Sequence, residues 1–121
     1  MKAKTNLTML CDFYELTMGN GYFQTGLADR ICYFDVFYRS VPDKGGFAIA
    51  AGLAQVVEYI QNLCFDEEDI AYLQSKGCFA PEFLDYLRTF RFTGDIWAVP
   101  EGTPIFPGEP ILTVRAPAIQ A

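Results

Sequence analysis

The chain has 121 residues, a hydrophobic fraction of 51% and a net charge of -6, which fits one packed domain and excludes a disordered segment. The acidic balance argues against a nucleic-acid partner, which needs a basic surface to neutralise phosphates, and against an anionic membrane surface. No apolar run reaches the length of a bilayer span, and residues 1–10 carry Lys2 and Lys4 with no sustained apolar stretch or cleavage site, so no signal peptide is read and a cytoplasmic location is expected.

The first periodic segment runs from Asp12 to Gln24. Asp12 stands where a helix cap belongs, with Glu15 three residues on as its reciprocal partner, and Gly26 is a natural stop. Residues 31–39 are aromatic and β-branched and read as a strand. Period two separates Cys32, Phe34, Val36 and Tyr38, expected in the core, from Tyr33, Asp35, Phe37 and Arg39, expected on a face that meets polar partners. Asp43 to Gly46 signals a turn, and 47–50 a short strand. Leu53, Val56, Val57 and Ile60 have helical spacing. Asp66 opens the next helix, with Asp69 at the capping-box offset. Pro81 suits the first position of a third, whose apolar face is Phe83, Leu84, Leu87 and Phe90. From Phe92 onward Pro and Gly break the chain into short strands at 92–100, 103–106 and 110–116. Phe106-Pro107-Gly108-Glu109-Pro110 makes the turn between the last two. The predicted fold class is α+β.

The chain contains no histidine, so a Ser-His or Cys-His nucleophile system cannot be assembled from it alone. Cys11, Cys32, Cys64 and Cys78 lack CxxC spacing and read as buried reduced thiols, not as a zinc site or a disulfide framework. Asp66-Glu67-Glu68-Asp69 fits no calcium loop and reads as a solvated helix start. Pro100-Glu101-Gly102 and Gly45-Gly46 match no phosphate-binding loop and read as turns.

Two places carry binding chemistry. In Asp12-Phe13-Tyr14-Glu15-Leu16-Thr17-Met18 the Tyr14 ring can lie against a flat ligand, with Asp12 and Thr17 as polar neighbours. The plainer reading is a capped amphipathic helix with Tyr14 half-buried. Arg39 closes the aromatic strand. It is either a surface arginine or an anion clamp, because guanidinium offers a fork of donors to phosphate or carboxylate, with Asp35 placed to orient it.

These residues, in order, resemble the nicotinate phosphoribosyltransferases. Asp12-Phe13-Tyr14-Glu15-Leu16-Thr17-Met18 with Gly21-Tyr22-Phe23 is similar to the family's opening signature. Phe34-Asp35-Val36-Phe37-Tyr38-Arg39, Ala50-Ala51-Gly52-Leu53, Phe65-Asp66-Glu67-Glu68-Asp69-Ile70 and Phe90-Arg91-Phe92-Thr93-Gly94-Asp95 follow in the family's order. Val99-Pro100-Glu101-Gly102-Thr103 and Phe106-Pro107-Gly108-Glu109-Pro110 complete it. The resemblance implies the N-terminal α/β sandwich domain of a type II phosphoribosyltransferase, occupying 1–121 without its barrel domain. It implies nicotinate and phosphoribosyl pyrophosphate as substrates of the full enzyme, Mg²⁺ and ATP as its cofactors with neither bound here, and a homodimer. Across that dimer Tyr14 is expected to stack on the nicotinate ring and Arg39 to approach the substrate phosphates. Asp12 and Thr17 belong to the same motif. The family's phosphorylatable histidine and barrel phosphate loops have no counterpart in this chain, so the chain alone is expected to show no turnover.

Two other readings compete: an interaction module that keeps the fold without the chemistry, and a lipoyl- or biotinyl-carrier hairpin at 99–116. The carrier reading ranks low because its hairpin tip needs a lysine, and 106–110 holds none.

Overall fold

The computed structural model describes residues 6–121. Half of the segment read for a signal peptide, residues 1–5, lies outside the described residues. Helix α1 spans Phe13–Thr25 and stops at Gly26, whose φ of +73° a residue with a Cβ rarely adopts. Asp12 sits at the N-cap with extended backbone, but its carboxylate makes no capping bond. The Glu15 N–H that a cap would need is already donated to the Asp12 carbonyl, at 3.1 Å. The expected capping box at this end therefore does not form.

Strand β1 is Ile31–Val36, shorter than the predicted 31–39. Its partner supplies the reason. β5, Leu112–Pro117, pairs antiparallel with it from Ile31↔Pro117 to Val36↔Leu112, and just before β5 stands Pro110, which has no N–H to extend the ladder. A 3₁₀ turn at Pro42–Lys44 follows, with Asp43 and Lys44 both at φ +58°. Then come β2 (Ala48–Ile49), α2 (Leu53–Gln61), α3 (Glu67–Ser75), α4 (Pro81–Arg88), β3 (Asp95–Ala98) and β4 (Pro104–Ile105). All of these elements were anticipated. The capping box at α3 is complete: Asp69 N–H donates to Asp66 Oδ1 at 2.9 Å and Asp66 N–H to Asp69 Oδ2 at 3.1 Å. Pro81 occupies the first turn of α4.

The strands make a three-stranded antiparallel sheet in the order β1-β5-β3 and a two-stranded ladder of β2 with β4. The molecule is α+β, as its residues imply. Its main core is helical. Leu16 of α1, Ile70 and Leu73 of α3, and Phe83, Leu84 and Leu87 of α4 pack with Phe90. Rings tie the layer together: Phe23 lies 6.0 Å from Phe83, and Phe65 meets Phe90 edge-on at 5.6 Å. A fully buried Phe contributes up to about 3 kcal/mol by burial, and Phe83 of this cluster is fully buried.

The sheet is not covered to the same degree. Phe34 and Val36, expected in the core, are 54% and 49% exposed. They line an open cleft in place of a closed interior. The cysteines are free but not buried as expected: three are half-buried and Cys78 is exposed. Among the described residues no helix is long and apolar enough to cross a membrane.

Candidate functional site

The cleft lies between the helices and one face of the sheet and encloses about 580 Å³. Tyr14, Met18 and Tyr22 line it from α1, Phe34 and Val36 from β1, and Val114 from β5. Its walls are aromatic and aliphatic, which suits a flat ligand or an apolar segment.

The position of Tyr14 follows from how α1 is held. Phe13 meets Phe79 edge-on at 5.7 Å. Asn20 accepts the Ala80 N–H at 3.1 Å, which ties α1 to the start of α4. Gly19 is buried, and the Phe83 ring fills the space beside it. With Leu16, Gly19 and Phe23 turned to the core, Tyr14 is left 59% exposed at the cleft. The Thr17 hydroxyl donates to the Tyr14 carbonyl oxygen at 2.9 Å, so it braces the first turn. The Asp12 carboxylate is exposed and free of capping duty. Neither Asp12 nor Thr17 lines the cleft.

Arg39 lies on another element, in the bend after β1, exposed and outside the cleft lining. Asp35 does not orient it. Its carboxylate instead accepts the Thr113 hydroxyl at 2.6 Å across the β1–β5 ladder. The structure thus sets Tyr14, Thr17 and Asp12 on one helix end and Arg39 apart from them.

The second face of β1 meets polar partners, as its pattern implies, and the partners come from distant sequence. Arg115 donates to the Tyr33 hydroxyl at 3.1 Å and to Asp95 at 3.0 Å, joining all three strands in one row. Trp97 stands 55% exposed in the next row, opposite Thr113. Sequence reading singled out neither Arg115 nor Trp97, because a cross-strand row has no local signature.

Electrostatics do not activate Cys11, the thiol that lines the cleft. Burial pushes the Cys11 thiol above its ordinary 9.0, and the carboxylates of Glu15 and Asp12 add to the shift. It stays protonated at neutral pH, when only a thiolate attacks. Burial likewise raises the Tyr59 phenol. Among the described residues, no three His, Cys, Asp or Glu gather where a metal ion could sit.

Sheet, helical layer and aromatic cleft define an α+β domain with an open cleft between its layers. Comparison with known proteins makes the class specific. A profile of the nicotinate phosphoribosyltransferase (NAPRTase) N-terminal domain matches residues 9–121. A nicotinate phosphoribosyltransferase of Mycobacterium tuberculosis is 44% identical over 113 residues, covering 93% of this chain and 24% of that protein. One from Bacillus subtilis is 34% identical over 116 residues, covering 96% and 24%. The crystal structure of human nicotinic acid phosphoribosyltransferase superposes with a TM-score of 0.81 at 34% identity, over 91% of this chain and 23% of that one. The chain belongs to the nicotinate phosphoribosyltransferase family and corresponds to its N-terminal domain. It spans about a quarter of the length of the relatives it matches.

Proposed function

We propose that this domain supplies substrate-binding side chains to an enzyme that transfers phosphoribosyl from phosphoribosyl pyrophosphate to nicotinate. The product is nicotinate mononucleotide, an intermediate in NAD salvage. The observation that carries the reading is the Tyr14 ring, which stays 59% exposed at an aromatic cleft while Leu16 and Gly19 of the same helix are buried. An exposed ring held on a braced helix can stack on a pyridine.

In this reaction the ring nitrogen forms a bond to the sugar carbon as the bond to pyrophosphate breaks, through a cationic, oxocarbenium-like sugar. Rate enhancement then rests on orienting the flat base and stabilising the phosphates. Tyr14 serves the first task and Arg39 the second, with its guanidinium fork. Thr17 keeps the Tyr14 backbone in place, and Asp12 stands exposed at the start of the same helix. Mg²⁺ and ATP belong to the proposal for the whole enzyme. Among the described residues no cluster of His, Cys, Asp or Glu offers a donor set for the metal, and no step through either group is assigned to this chain. We further propose a cytoplasmic homodimer in which this domain faces the neighbour's barrel.

Tyr14→Ala in the full gene product tests the reading. Loss of stacking should raise the KM for nicotinate by about tenfold, from the usual worth of a base on an aromatic ring. Nicotinate kinetics equal to wild type would remove Tyr14 from the site. A folded wild-type gene product that forms no nicotinate mononucleotide at all would favour the interaction-module reading.

A further inference from the structure

Arg39 lies three residues beyond the end of β1, yet the chain just before it is held at three points. Ile111 N–H donates to the Val36 carbonyl at 2.8 Å. Gly108 N–H donates to the Tyr38 carbonyl at 2.9 Å. The half-buried Tyr38 hydroxyl donates to the Ile105 carbonyl at 2.6 Å. Two of these bonds converge on Tyr38, one on its backbone and one on its side chain, and both come from the segment 105–108. That segment is itself rigid. Glu109 N–H closes a turn onto the Phe106 carbonyl at 3.3 Å, with Pro107 at its second position and Gly108 at φ +79° at its third, the pattern of a type II turn.

We propose that Tyr38 and the 106–109 turn position Arg39 for a phosphate-bearing substrate, an inference that rests on the reading of Arg39 as an anion clamp. Arg39 is the next residue after the anchored one, it is exposed, and among the described residues its side chain has no hydrogen-bond or ion-pair partner. Tyr38 is half-buried against Ile105, and Arg39, the next residue, is exposed in the bend. A long side chain loses rotamer freedom when it binds, and a fixed backbone spares it the further cost of ordering the chain. The turn thus acts through Arg39 without touching substrate, which explains why a Pro-Gly turn far away in sequence belongs with this arginine.

The test uses the full gene product with Tyr38→Phe, Gly108→Ala, Arg39→Ala and the double variant Tyr38→Phe/Arg39→Ala. KM for each substrate, binding of phosphoribosyl pyrophosphate by calorimetry, and the thermal midpoint are measured. Tyr38→Phe keeps the ring and removes one bond. It should raise the KM and Kd for phosphoribosyl pyrophosphate about three- to tenfold, the usual worth of one hydrogen bond. The KM for nicotinate should not change. Gly108→Ala, strained at positive φ, should show the same selectivity. In the Arg39→Ala background Tyr38→Phe should add nothing. If Arg39→Ala leaves phosphoribosyl pyrophosphate binding at the wild-type level, or the wild type does not bind it, the anion-clamp reading falls and this inference with it. If Arg39→Ala weakens binding but Tyr38→Phe does not, the positioning role alone is overturned. An equal Tyr38→Phe effect in both backgrounds, or a parallel rise of both KM values with a lowered midpoint, overturns it in the same way.

Discussion

A Cβ built on Gly94 would lie 2.5 Å from the Arg115 carbonyl oxygen, 2.6 Å from the Ala116 Cβ and 2.7 Å from the Phe92 ring. Two of those neighbours are fixed by strand pairing, so the backbone would have to move. Gly94→Ala should destabilise the domain by about 2 kcal/mol, as overpacking a tight site does. Urea unfolding measures it, and an unchanged midpoint would mean that the strand retreats at no cost. Glu101 is a second residue whose part emerges only in three dimensions. It sits in the turn that its sequence suggests, but its carboxylate also accepts the Gly52 N–H at 2.8 Å and the Ala54 N–H at 3.4 Å. It caps α2 from 49 residues away and satisfies donors that a helix start leaves open. The two family motifs that meet there are therefore one structural feature.

Among the elements, α3 carries a pH-sensitive start. Hydrogen bonding from the Asp69 backbone, supported by the Asn6 side chain, holds the Asp66 carboxyl below its ordinary 3.8. A depressed folded-state value means that ionised Asp66 stabilises the fold. That stabilisation is complete above 3.8 and is lost as pH falls through the lowered value. Asp66→Ala should therefore lower the thermal midpoint at neutral pH, and its gap to wild type should close on acidification below 3.8. A gap constant down to pH 2 would show that the cap acts without its charge. Helix α2 forms where periodicity places it, yet none of its residues is buried. Val56 and Val57 of its apolar stripe stay exposed, while Leu53 and Ile60 are half-buried.

Across the whole molecule, a closed helical core stands beside a sheet whose outer strands are largely open, while its central strand β5 is half-buried. Tyr33, Phe34, Val36, Phe37 and Trp97 are each about half exposed or more. A small monomer rarely shows that much apolar surface without a binding role. This agrees with a domain that spans a quarter of its relatives' length. The 121-residue polypeptide by itself should form no nicotinate mononucleotide, since it spans only about a quarter of the relatives' length and contains no histidine. A coupled assay for pyrophosphate release checks this, and measurable product formation would refute it.

Local chemistry was legible from the chain alone. The stop at Gly26, the box at Asp66 and Asp69, Pro81 at a helix start and the 106–110 turn all follow from neighbours a few residues apart. The face of Phe83, Leu84, Leu87 and Phe90 likewise follows from helical period. The family was legible too, because its motifs keep their order. Tyr14 and Arg39 could be nominated, but their surroundings could not. Burial of Phe34 and Val36 was expected from alternation, which reports which side a residue faces and not whether that side is covered. The end of β1 at Val36, the cap that Glu101 lends to α2, the Arg115 row and the anchoring of Tyr38 beside Arg39 each need a partner brought from tens of residues away. Only tertiary structure decided them, because period and propensity act within a few residues while strand pairing and side-chain caps join segments that the sequence keeps apart.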